Sequence, residues 1–386
     1  MDVVKPPLDA EIVLPPNAVA RQGEQLSAKL RDAAGKITAD DIGDHTKRSY
    51  GKTWALWEQF IKAMLEHPDF VDYPGLSTLT VDEHLLVLFV EWMITKGKLA
   101  YQAGTLTAPY SPATLRTRLY GITGILRQHL GPLAVPKGMA EKANKHIGKC
   151  QRQAVDPLYT GELDVGGGRG EAPALLMTTL RKACELLPDD LVGHRDRAML
   201  LIHYGAARRR AEVALLTIDD VTVLPAEQLH DGKQLPRRLR VHFLRTKGGK
   251  EHVATIYEGE VDATCPVRAW DIWAMERAHF LGSCGEQGLR LAFFRIDRHG
   301  NFGGPFHRDG HAINTIVKAR MAATGDTTDY TGHSLRRGPA TQAAINGASD
   351  RAIRSLTGHS VNSTAFDRYI RDVQHSTESV SEKLGF

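Results

Sequence analysis

Cysteine is scarce in this chain: four among 386 residues, at Cys150, Cys184, Cys265 and Cys284. None forms a C-x-x-C pair, which excludes a zinc ribbon and a disulfide scaffold and fits a reducing cytoplasm. Long apolar runs are missing as well. The most apolar stretch, Leu85 to Ile94, is short and broken by Glu91, far below the roughly 20 residues a membrane span needs. The opening Met-Asp-Val-Val-Lys-Pro-Pro has neither the charged start nor the apolar block of a secretion signal. Histidines are plentiful at 17, yet no H-E-x-x-H or similar ligand spacing occurs, so no metal and no cofactor are expected. The glycines of Val165-Gly-Gly-Gly-Arg-Gly170 follow no buried strand and precede no Gly-Lys-Ser/Thr, which excludes a phosphate-binding loop. A net charge of +4 is only mildly basic, so the distribution of charge matters more than its sum.

What is present is a helical block followed by a mixed one. Residues 1–44, rich in Pro, Ala, Gly and charge, read as a flexible arm. From Thr46, the positions Tyr50, Trp54, Trp57, Ile61 and Met64 recur at helical spacing. Thr80-x-x-Glu83 reads as a capping box ahead of an apolar helix running to about Lys96. Ser111-Pro112 opens a third helix with the stripe Leu115, Leu119, Ile122, Leu126 and Leu130. A fourth, over 137–152, carries Lys137, Lys142, Lys145, Lys149 and Arg152. This gives an all-helical domain over 45–155, a glycine-rich linker over 156–173 and a second domain over 174–372. In the second domain, Leu239, Val241 and Phe243 alternate along a strand that His252 to Tyr257 answers across Gly248-Gly249, a β-hairpin. Further helices are expected near 180–187, 198–204, 265–280, 311–323, 335–345 and 350–356. The fold class is therefore mainly α with a small antiparallel sheet.

The second domain also gathers residues suited to one reaction. A phosphodiester gains negative charge in a pentavalent transition state, so catalysis without a metal needs fixed cations on the non-bridging oxygens and an acid for the leaving 5′ oxygen. Arginine stays charged and can grip two oxygens, and a tyrosine can attack and hold the bond energy as a phosphotyrosine ester. The sequence supplies Arg208-Arg-Arg-Ala-Glu212, Arg245-Thr-Lys247, Thr331-Gly-His-Ser-Leu-Arg-Arg-Gly338, Gly358-His-Ser360 and Thr364-Ala-Phe-Asp-Arg-Tyr-Ile-Arg371. His333 and Arg336, three apart, can face one site from a helical turn.

This ordered set resembles the tyrosine recombinase (phage integrase) family, whose second domain carries Arg, Lys, His-x-x-Arg, Gly-His/Trp and Tyr in that order. Among its members the resemblance is to Cre-like recombinases, through R-x-A-E, Arg-Thr-Lys and His-Ser-x-Arg-x-Gly, and the helical first block resembles the family's core-binding domain. The register Arg209, Glu212, Leu216 fits the first box, though Arg208 and Arg210 flank it. The resemblance implies that Arg209 and Arg336 clamp the scissile phosphate and Lys247 acts as general acid, with Lys250 on the same turn as its competitor. It also implies that His333 takes or orients the proton of the nucleophile Tyr369, and that His359 hydrogen-bonds the phosphate. Glu212 would fix His333 or an arginine.

It further implies double-stranded DNA with inverted-repeat sites as partner, a tetramer on DNA formed from free monomers, and a C-terminal tail, 373–386, that docks on a neighbouring subunit. Arg116, Arg118 and the basic residues of 137–152 would then contact DNA, or else form a solvated face. Two departures stand out: Ala207 occupies the place of a usual glycine, and His359 lies ten residues before Tyr369, one more than expected. Pro339 sits early in the His-x-x-Arg helix. Type IB topoisomerase or telomere-resolvase chemistry, or a non-catalytic DNA-binding regulator on the same scaffold, are the alternatives.

Overall fold

The computed structural model describes residues 44–67, 76–156, 165–166, 171–230, 232–244, 251–363 and 366–367. The N-terminal arm, the C-terminal tail, Lys247 and Tyr369 lie outside the described residues. The chain divides into two compact units, up to Gly170 and from Glu171 onward.

The first unit is helical: α1 (Asp44–Leu65), α2 (Glu83–Gln102), α3 (Pro112–Leu130) and α4 (Glu141–Val155). The sequence periodicity is the reason for its core. Trp57, Phe60, Phe89, Met93, Leu119 and Leu126 are fully enclosed, and Trp57 and Phe89 meet edge-to-face at 5.0 Å between ring centres. Ser111 caps α3 with Pro112 in the first turn, as expected. The start of α2 differs. Its cap is Asp82, whose carboxylate accepts from the backbone N–H of His84 and Leu85, and the helix runs on to Gln102. Thr80 instead accepts from the Ser77 N–H in the preceding turn. The fourth helix starts at Glu141, so Lys137 lies in the turn before it. Within the glycine-rich stretch, Val165 is buried in this unit's core and the Gly166 N–H donates to the Tyr110 carbonyl.

The second unit opens with α5 (Met177–Glu185), α6 (Leu191–Ala206) and the one-turn α7 (Arg210–Val213). A three-stranded antiparallel sheet of β1 (Val221–Leu224), β4 (Arg238–Phe243) and β5 (His252–Tyr257) follows, in the order β1-β4-β5. The hairpin register sets Val241 opposite Ala254 and Phe243 opposite His252; Leu239, Val241 and Phe243 face the core. Short pairs β2 (Glu227–Gln228) with β3 (Gln234–Leu235), and β6 (Phe294–Ile296) with β7 (Phe302–Pro305), lie outside that sheet. The remaining helices are α8 (Pro266–Ser283), α9 (His311–Ala322), α10 (Ser334–Ile345) and α11 (Asp350–Thr357). Pro339 lies within α10, buried, and Gly338 beside it has a steric reason. A Cβ there would stand 1.9 Å from the Leu175 carbonyl oxygen, on the strand of chain whose N–H donates to Ser334 O. No helix among the described residues is long and apolar enough to cross a membrane.

Candidate active site

The three consecutive arginines after α6 point to three different places. The helix ends at Ala207, which adopts a left-handed conformation (φ 50°, ψ 34°) and is the one non-glycine residue with positive φ among the described residues. A side chain in that region costs about 1–2 kcal/mol, and this residue stands where the sequence pattern would place glycine. The reversal turns Arg208 inward. Its Nε donates to Glu212 Oε2 at 2.8 Å, Nη1 donates to the Thr357 carbonyl at 3.3 Å, and the guanidinium lies 5.7 Å from the centre of the Phe243 ring. Arg209 caps α7 and keeps its side chain 39% exposed. Its backbone N–H donates to Glu212 Oε2 and its Nη1 to Oε1, both at 3.1 Å. Arg210 reaches the Asp309 carbonyl before α9. Glu212 therefore fixes arginines, one buried and one facing out. Burial alone would raise its pKa, but the Arg208 charge and the bonds from Arg209 outweigh it and hold the carboxylate ionised, below its ordinary range.

Arg336, on the first turn of α10, is almost wholly enclosed. Nη1 donates to the Ala207 carbonyl at 2.9 Å, while Nη2 donates to the Thr357 carbonyl at 2.8 Å and faces His359 Nε2 at 3.2 Å. Two main-chain oxygens, one from each side, thus set the plane of the guanidinium. Because a guanidinium only donates, His359 Nε2 accepts and the ring proton sits on Nδ1, which faces Thr357 Oγ1 at 2.7 Å. The Thr357 hydroxyl in turn donates to the Ile353 carbonyl at 2.8 Å, which fits that tautomer. Burial, followed by the charges of Arg336, Arg209 and Arg354, pushes the His359 pKa down to about 4. His333, the cap of α10, is exposed. Partial desolvation and then Arg336, Arg209 and Arg337 hold its pKa below the usual imidazole value, so both rings are neutral at pH 7.

Phe366 and Asp367, the described residues ahead of Tyr369, are anchored. Phe366 is buried with Ala340 and Ile353. Arg354 lies 3.7 Å over its ring, donates to the Ser360 carbonyl and pairs with Asp367 at 2.8 Å. The fold therefore brings Arg209, Glu212, His333, Arg336 and His359 together from segments about 150 residues apart, whereas Lys247 and Tyr369 are outside the described residues. Sequence reasoning missed Arg208 and Thr357. The former was visible only as a register alternative; the latter acts largely through its carbonyl, which no side-chain pattern announces.

The basic residues of the first unit divide. Arg118 donates to the Ser49 carbonyl and Thr53 Oγ1, tying α3 to α1, and Arg116 reaches Asn144 and Gln151 on α4. Lys142 pairs with Glu83 and Lys145 with Glu141. Lys137, Lys142, Lys145, Lys149 and Arg152 are all exposed.

No family model matches the chain. Two curated proteins are similar to it over most of their length. An "Integrase/recombinase xerD homolog" of Selenomonas ruminantium is 23% identical over 349 residues, covering 89% of this chain and 85% of that protein. "Tyrosine recombinase slr0733" of Synechocystis is 24% identical over 345 residues, covering 87% and 89%. Among solved structures, the XerH site-specific recombinase bound to palindromic difH substrate, a post-cleavage complex, aligns with a TM-score of 0.53 at 16% identity, over 94% of this chain and 84% of that one. The pre-cleavage complex of XerH with difH aligns at 0.50, over 95% and 91%. The chain thus has the tyrosine recombinase fold and is related in sequence to tyrosine recombinases along nearly nine-tenths of its length.

Proposed function

We propose that this protein is a site-specific DNA recombinase that cuts and rejoins DNA strands through a 3′-phosphotyrosine intermediate formed by Tyr369. The observation that carries the reading is the convergence of Arg336, His333 and His359 with Arg209, which the ionised Glu212 holds. Two guanidiniums of fixed orientation suit the non-bridging oxygens of a phosphodiester, whose charge grows in the transition state. In this reading Tyr369 Oη attacks phosphorus, its proton passes to His333, which is neutral and so able to take it, and the 5′ oxygen leaves with a proton from Lys247. The reverse attack by a 5′ hydroxyl restores the diester and frees the tyrosine. His359 would turn Nε2–H to the phosphate in its other tautomer, with the Thr357 hydroxyl leaving the Ile353 carbonyl to donate to Nδ1. Paired inverted-repeat sites and a tetramer on DNA complete the proposal, with Lys137, Lys149 and Arg152 as backbone contacts. Lys142 and Lys145 join them only by giving up their glutamates.

The test is covalent trapping. The protein is incubated with a nicked suicide substrate carrying inverted repeats from its genomic neighbourhood, and a denaturant-resistant protein–DNA adduct is sought. Tyr369→Phe is expected to bind the same DNA and to form no adduct. An unchanged adduct in that variant would remove Tyr369 as nucleophile, and specific binding without any adduct in the native protein would favour a regulator.

A further inference from the structure

We propose that Arg208 is a positioning residue that couples the two phosphate-facing arginines, Arg209 and Arg336, into one rigid clamp. The inference rests on the recombinase reading above and adds a residue to its machinery. Arg208 touches both halves of the site through different atoms. On one side its Nε holds Glu212 Oε2, and the other oxygen of that carboxylate holds the Arg209 guanidinium. On the other, its Nη1 donates to the Thr357 carbonyl, the same oxygen that accepts Nη2 of Arg336. A continuous chain of charge-assisted bonds therefore runs Arg209–Glu212–Arg208–Thr357–Arg336. It joins the turn after α6 to the end of α11, two segments with no covalent reason to keep a fixed spacing.

The surroundings are shaped for this guanidinium. Gly358 ends α11 in the left-handed region (φ +67°), and a Cβ there would stand 2.5 Å from Arg208 Nη1, so the chain has made room where the guanidinium passes. Phe243 closes another side. Arg208 is nearly inaccessible, as Arg336 is, but its guanidinium is already paired with the Glu212 carboxylate, which leaves it unsuited to bind phosphate. Burying a charge that merely packed would be unfavourable against an apolar side chain of similar size. A buried fork that links a carboxylate to a shared carbonyl suits it to setting geometry, and lysine, a single point donor, cannot span both partners equally well.

The experiment uses the full-length protein and the suicide substrate, with Arg208→Leu and Arg208→Lys. DNA affinity, single-turnover adduct formation, thermal midpoint and the imidazole titration of His359 by NMR are measured for each. Affinity is expected to stay near native while adduct formation slows by about a hundredfold in Arg208→Leu, the scale of an ångström-level misplacement. Arg208→Lys should recover part of the rate. After burial, Arg336 is the largest of the influences that depress His359, and Arg208→Lys keeps a positive charge at position 208. A loosened Arg336 should therefore raise the His359 titration midpoint in both variants, a change that loss of packing alone would not cause. A native cleavage rate in Arg208→Leu would overturn the proposal. So would loss of affinity, rate and thermal midpoint together in both variants, which would make Arg208 structural only. No adduct from the native protein would instead sink the recombinase reading on which the proposal stands.

Discussion

His203, in the last turn of α6, is wholly enclosed, and its Nε2–H donates to the Arg208 carbonyl at 2.9 Å while Nδ1 has no partner among the described residues. Burial outweighs that bond and, with Arg336 nearby, pushes its pKa from 6.5 down to about 4. The folded protein therefore holds this ring neutral where the unfolded chain would protonate it. The contribution is complete above pH 6.5 and is lost as pH falls toward 4, at up to about 1.4 kcal/mol per pH unit. His359, shifted the same way, adds to it. We expect urea midpoints to fall steeply between pH 6.5 and 4, and His203→Gln, which keeps a donor for the Arg208 carbonyl and does not titrate there, to flatten the slope. An unchanged slope in that variant would mean that the acid sensitivity lies elsewhere. The same residue scale explains what could be read beforehand. The spacing Arg209 to Glu212 singled out the arginine that stays partly exposed on that glutamate, because α7 is one helical turn. Three identical side chains in a row carry no sign of which one turns inward, and it is the left-handed backbone at Ala207, a residue type that does not advertise it, that decides.

Elements were legible in proportion to their length and period. Helix α3 was visible from Ser111-Pro112 and its leucine stripe, and the β4–β5 hairpin from strict alternation over six residues. Strand β1 has four residues behind an acidic turn, β6 has three, and β7 is interrupted by Gly303-Gly304; each exists because a partner strand completes it. The start of α2 shows a different failure. Thr80 and Asp82 are both good caps, and Glu83 three residues after Thr80 completes a familiar spacing. The structure uses Asp82, with two backbone N–H groups on one carboxylate oxygen at 2.7 and 2.8 Å, and commits Glu83 to Lys142. Asp82→Ala should therefore lower stability by about 1 kcal/mol, with a clearly smaller loss for Thr80→Ala, both read from denaturant midpoints. A larger loss for Thr80→Ala would restore the capping box.

At the scale of the molecule, each unit has its own apolar core, and the boundary between them is less simple than a stretch of glycines suggests. Val165, inside the glycine-rich segment, is only 1% exposed within the first core, and Gly166 donates to the Tyr110 carbonyl at 3.2 Å. A Cβ on Gly166 would stand 2.5 Å from the Pro109 carbonyl oxygen, so this close approach, rather than freedom of movement, is what a glycine at 166 supplies. Enclosing a valine is worth about 1.5–3 kcal/mol. Closing the intervening 157–164 onto the core opposes this through chain entropy that grows only slowly with length. The valine should win by about 1 kcal/mol. A fragment of residues 44–166 is therefore expected to unfold cooperatively and to be more stable than 44–156 by that amount, and Val165→Ala in the longer fragment should erase most of the gain. Equal midpoints for the two fragments would show that the Val165 contact contributes nothing to the first core on its own, and would return the domain boundary to the end of α4.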